Sequence, residues 1–164
     1  MLVVSDTTPI RALALCGRLD LLVRQFGGVT IPMVVWKELE RLPHAVGRAV
    51  ILAAMADGWL TVDDSPPSPL GVYLRGNLDP GEAAAIDLAC ARKAAWLLMD
   101  EMAGRRVAAR LGLKVTGSLG VLLRAKLDGS LPSLRQELDR IRSEAKFYLS
   151  KELEERVLRE AGES

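Results

Sequence analysis

The sequence predicts a three-layer α/β/α sandwich built on a central parallel sheet, with further helices at its C-terminal end. Three observations carry this. Short apolar runs alternate with longer segments of helical periodicity, the order of strands joined by crossover helices. Two of the runs, Leu2–Val4 and Ala94–Met99, hold no polar residue, as strands buried on both faces do. Proline, glycine and aspartate fall between the segments where helices start and chains turn.

Length and composition set the bounds. A chain of 164 residues makes one domain, or one domain with an extension, and can bury a real core. We divide it into an α/β domain over 1–130 and a helical extension over 131–164 packed on it. Apolar residues are 49% and charged residues 26%, ordinary for a globular protein. The formal net charge of +1 argues neither for nor against a nucleic-acid partner. Cys16 and Cys90 lack metal-ligand spacing and read as reduced thiols, which suits a cytoplasmic setting. We expect no signal peptide and no membrane span, because no basic leader or sufficiently long apolar run occurs.

In chain order, Leu2–Val4 is the first strand, and Pro9 suits the first turn of the helix that follows, with Thr8 as its cap. Asp6 thus sits at the carboxyl end of a buried strand, the edge where open α/β sheets bind ligands. Taken alone it reads first as a turn or capping carboxylate, and other acids at the same edge are what would make it more. The first helix breaks at Gly17, a second runs from Arg18 to Phe26, and Val29–Ile31 is a strand. Pro32 opens a helix to Leu42 with Ile31, Val34, Val35, Leu39 and Leu42 along one side. Glu38 falls inside that apolar stripe. It needs a partner there, either Arg41 three residues on or a metal.

Ala45–Gly58 is predicted helical and Trp59–Val62 a strand. His44, the only histidine, reads as a solvated loop residue without a role. The proline-rich stretch from Asp63 to Asn77 reads as a mobile loop. Asp79-Pro80-Gly81-Glu82 opens a helix, with Asp79 as cap and Glu82 at the capping-box position. Asp100 and Glu101 follow the Ala94–Met99 strand, helix runs from Glu101 to Leu111, and Lys114–Thr116 is a last strand. Ser118 reads as the cap of a helix to Asp128. Between Met102 and Leu127 stand six basic residues (Arg105, Arg106, Arg110, Lys114, Arg124, Lys126) and no acid, a rim suited to a polyanion. Pro132–Glu144 and Ser150–Ala161 are amphipathic helices without a motif, read as a lid or dimerisation element.

Such a fold brings Asp6, Glu38, Glu82 and Asp100 toward one sheet edge. Four carboxylates cannot all ionise side by side without a cation. Mg²⁺ or Mn²⁺ suits oxygen ligands and positions water for phosphodiester hydrolysis. Asp6-Thr7-Thr8-Pro9, Ile31-Pro32 with Glu38, Gly81-Glu82-Ala83 and Leu97-Leu98-Met99-Asp100 together resemble the PIN-domain family. The run from Gly104 to Ala108 and from Leu111 to Gly120 resembles one uncharacterised prokaryotic branch of it. The resemblance spans nearly the whole chain and implies a metal-dependent ribonuclease acting on single-stranded RNA, often the toxin of a toxin–antitoxin pair. It implies Asp6, Glu38, Glu82 and Asp100 as catalytic metal ligands, although many relatives carry aspartate where Glu82 stands. Glu101, Thr116 and Ser118 are candidate auxiliary groups, and Arg105, Arg106 and Arg110 candidate RNA contacts. An antitoxin and a second copy of the chain are the expected protein partners. Two other classes stay open: a catalytically silent interaction module, and an aspartyl-phosphate domain with Asp6 as nucleophile. The second lacks the carboxylate expected at Thr8. No GxxxxGK[S/T] or GxGxxG pattern occurs.

Overall fold

Val3 and Val4 face opposite layers, and this alternation organises the molecule. A computed structural model describes residues 1–164. Five strands, β1 (Val3–Ser5), β2 (Val29–Pro32), β3 (Leu60–Asp63), β4 (Trp96–Leu98) and β5 (Val115–Thr116), pair in the order β3-β2-β1-β4-β5. All pairs are parallel, so every carboxyl end lies on one edge. β1 is central, and β4 pairs with it in the register Val4↔Leu97 and Ser5↔Leu98. The Asp6 amide donates to the Leu98 carbonyl at 3.0 Å. Asp6 and Asp100 therefore leave adjacent strands at the same edge.

The helices are α1 (Thr7–Leu15), α2 (Asp20–Phe26), α3 (Met33–Leu39), α4 (Ala45–Ala56), α5 (Pro69–Leu74), α6 (Pro80–Ala91), α7 (Met102–Arg110), α8 (Ser118–Leu127), α9 (Leu134–Glu144) and α10 (Lys151–Glu160). Period-2 alternation divides the strands between two cores. Val3 and Leu98 join the larger core with Ile10, Leu13, Val35, Ile51, Leu122, Leu138 and Val157. Val4, Leu97 and Met99 join the smaller one, made with Leu74, Ile86, Ala89 and Ala108. Side chains of α9 and α10 contribute to the larger core. Polar ties hold them there: Arg18 meets Glu137 at 2.6 Å, Arg142 meets Glu154 at 2.7 Å, and the Glu163 carboxylate accepts from the Leu134 amide at 2.6 Å.

Four local expectations change. The helix after β1 begins at Thr7 with Asp6, not Thr8, at the N-cap position, and the Asp6 side chain makes no capping bond. His44 is not idle: its Nδ1 accepts from the Gly47 amide at 2.9 Å and caps α4. The stretch from Asp63 to Asn77 is not all loop, because it folds α5, with Pro69 in its first turn. Buried Asp87 holds that helix in place, accepting from the Ser68 amide at 2.9 Å and from the Ser68 hydroxyl. Ser118 does not cap α8, since Gly117 occupies the cap position and Ser118 is the first helical residue.

Candidate metal centre and nucleic-acid cleft

The carboxyl edge of the sheet receives acids from three sources: strand ends, the short helix α3, and the N-terminus of α6. Asp6 is 3% exposed. Burial pushes its carboxyl up to about 7, with the Thr7 backbone N–H pulling the other way and Asp79, Glu82 and Glu38 adding repulsion. Glu38 is exposed, which corrects its placement on the buried stripe. α3 stops at Leu39, so Glu38 stands at the helix end and swings to the site. Its carboxylate accepts from the Thr7 hydroxyl at 2.5 Å, and no ion pair with Arg41 forms.

Gly81 shows how close these two acids come. A Cβ there would meet Glu38 Oε1 at 3.0 Å and Asp6 Oδ1 at 3.1 Å. Only a glycine leaves that space to the carboxylates. Gly81→Ala is expected to spread Asp6 and Glu38 apart and weaken divalent-ion binding, while alanine's higher helix propensity offsets the crowding in the fold. Mn²⁺ titration beside a thermal melt checks this; unchanged affinity would show that the space is not used.

Glu82 divides its two oxygens. Oε1 accepts from the Asp79 amide at 3.2 Å while Asp79 Oδ1 accepts from the Glu82 amide at 2.8 Å, the full capping box. Oε2 is buried with no partner. Burial raises the Glu82 carboxyl to about 7, with the Asp79 carboxylate adding to the shift and the Asp79 backbone N–H opposing it. A buried carboxyl oxygen without a donor is costly. Asp100 is held differently: its oxygens accept from the Ser118 amide and hydroxyl, both at 2.7 Å. Burial raises its carboxyl, against the Ser118 bonds and the Arg105 charge.

The structure thus brings Asp6 and Glu38 together at Gly81, lays Glu82 beside them, and ties Asp100 to α8. As the side chains stand, no three of them enclose a common point close enough for one ion. The donor chemistry does fit a hard divalent cation: all-oxygen ligands, one buried oxygen lacking a donor, and mutual repulsion at Asp6. The sequence marks Asp79 only as a helix cap and Thr7 only as part of the Asp6-Thr7-Thr8-Pro9 motif, yet both act on these acids. Glu101 is exposed at the start of α7, and Thr116 is half-buried at the end of β5.

Next to this edge opens a cleft of about 760 Å³, lined by Asp100, Glu101, Arg105 and Thr116 on one side and by α10 and the loop before it on the other. Arg105 is half-buried and donates to the Met99 carbonyl at 2.9 Å. Arg106 and Arg110 are exposed on α7 and do not line the cleft, so of the three candidate RNA contacts only Arg105 reaches it. No helix is long and apolar enough to cross a membrane.

At least one solved structure shares this architecture. No curated protein matches the sequence. A PilT N-terminus domain protein from the hyperthermophilic archaeon Sulfolobus solfataricus P2 superposes with a TM-score of 0.53 at 18% identity, over 81% of this chain and 96% of that one. A domain of a functionally unknown protein from Methanocaldococcus jannaschii DSM 2661 gives a TM-score of 0.46 at 18% identity, over 71% and 89%. A family model of the PIN domain matches residues 2–163, and the chain therefore belongs to the PIN-domain family, whose members are generally nuclease-like.

Proposed function

We propose that this protein is a metal-dependent ribonuclease that hydrolyses phosphodiester bonds of single-stranded RNA, with Asp6, Glu38, Glu82 and Asp100 as the residues that hold Mg²⁺ or Mn²⁺. The observation that supports it best is the meeting of Asp6 and Glu38 around Gly81, with the donor-less Glu82 Oε2 on the same first turn of α6. A bound divalent ion would supply Lewis acidity, activating water and offsetting negative charge on the phosphodiester. The chain's own groups prepare the site. Thr7 fixes one Glu38 oxygen, Ser118 fixes Asp100, and the α6 capping box aims Glu82. Arg105, on the cleft wall beside Asp100, places positive charge where a phosphate would lie. A toxin role paired with an antitoxin belongs to the same proposal and rests on family membership. A homodimer is part of the same proposal.

One observation favours the second reading, a PIN-like interaction module without activity: Asp100 spends both oxygens on Ser118. The deciding experiment incubates labelled single-stranded RNA with the purified protein in Mn²⁺ and in excess chelator. Cleavage in Mn²⁺ alone is expected. Equal cleavage in chelator overturns the metal mechanism, and metal binding without any cleavage supports the interaction module.

A further inference from the structure

We infer that the loop between α9 and α10 is a stacking platform for single-stranded RNA, with Tyr148 and Phe147 taking the bases and Lys146, Arg11 and Arg156 the backbone. This rests on the ribonuclease reading and extends it to how the substrate is held. All five residues line the cleft that opens from Asp100, and the only acid on their side is Glu160. Tyr148 is 87% exposed. The fold gains almost nothing from burying that ring, whereas Leu149 next to it is buried and holds the loop down. The cleft's volume falls within the range of ligand-binding clefts, about 300–1,000 Å³.

The chemistry selects the partner. Tyr148 is an exposed ring among cations, and Phe147 beside it is half-buried against the larger core with an edge on the cleft. Aromatic rings set this way along a basic groove are how proteins bind single strands without reading sequence. A duplex hides its base faces and would leave Tyr148 unused. The wall is also tied to the acidic edge. Arg11 lies on α1, the helix that starts beside Asp6, and its Nη1 donates to the Ala145 carbonyl at 3.4 Å. The next residue, Lys146, takes the left-handed conformation with φ of 53°, a backbone state that glycine adopts more easily. This turn ends α9 and carries Phe147 and Tyr148 into the cleft.

The test measures binding of a labelled single-stranded RNA 12-mer and of its duplex to the full chain in excess chelator, where nothing is cut. Tyr148→Ala is expected to weaken single-strand binding about tenfold, and Tyr148→Phe to restore it. Lys146→Gly is expected to weaken binding and flatten its salt dependence by the share of about one phosphate contact, without lowering Tm. That variant separates a binding role from a folding one. Wild-type affinity in Tyr148→Ala overturns the proposal, as does equal loss in Tyr148→Phe or a duplex bound as tightly as the single strand. The two readings fail separately. If Mn²⁺-dependent cleavage proceeds with an unchanged KM in Tyr148→Ala, the platform falls and the nuclease stands. If binding depends on Tyr148 and no RNA is ever cut, the nuclease falls and the platform stands.

Discussion

Asp6→Asn is expected to lower Mn²⁺-dependent cleavage of single-stranded RNA by a factor of about a hundred to a thousand or more, the usual cost of removing one preorganised electrostatic group. Asp6 leaves the central strand, is buried, and shares the space at Gly81 with Glu38. Asparagine keeps the shape and removes the charge that would hold the cation. The fold should survive, because the Asp6 side chain caps nothing. Asp100→Asn should also lower the rate, with a different signature. Its carboxylate accepts two bonds from Ser118, so losing the charge also loosens the start of α8 and costs stability on the order of 1 kcal/mol. Rates and melts of both variants, measured side by side, check this. An Asp6→Asn enzyme with full activity would remove Asp6 from the mechanism.

The metal-free protein is expected to lose stability as pH rises from about 4 to 7. The Asp6 carboxyl stands at about 7 in the fold against 3.8 as its ordinary value, and Glu82 at about 7 against 4.5. The folded state therefore keeps protons that the unfolded chain has already released. Stability is full below the ordinary values and falls as pH climbs toward the raised ones. For Asp6 alone the loss is on the order of 4 kcal/mol across that window. Asp6→Asn should flatten much of the slope and leave the metal-free protein at pH 7 no less stable than the wild type. Saturating Mn²⁺ should restore stability at pH 7, by about 2.7 kcal/mol at roughly a hundred times Kd. Chemical denaturation at pH 4, 5.5 and 7 with chelator reads it directly. A wild type whose stability rises steadily over this range contradicts the account.

Local patterns announced the layer order, and non-local contacts set the details. Uniform apolarity in Leu2–Val4 and Ala94–Met99 marked the two inner strands, and the alternation with helices implied that Asp6 and Asp100 share an edge, as β1 and β4 do. Helical periodicity put Glu38 on the stripe of α3, yet it could not show that the helix stops at Leu39 and frees the side chain for Thr7, 31 residues away in sequence. The hydroxyl of Ser118 looked like a local cap, and its true partner is Asp100, 18 residues back. The prolines before Leu70 read as loop because nothing nearby reveals that Asp87 anchors Ser68. His44 stands directly before a helix start, the local position where a side-chain acceptor can cap, although histidine is not among the usual capping residues. Phe147-Tyr148, an aromatic pair between two charged helices, carried a signal of its own. Its place on a cleft wall depends on how α10 packs, which no local pattern encodes.

Crystals soaked in Mn²⁺ test the central claim most directly. The account predicts an anomalous peak at the carboxyl edge of the sheet, within about 2.5 Å of an oxygen of Asp6, with Glu38, Glu82 or Asp100 turned toward it. The same soak of Asp6→Asn should show the peak weakened or gone. A fully soaked wild-type crystal with no manganese at Asp6, or with its manganese bound elsewhere, would contradict the account.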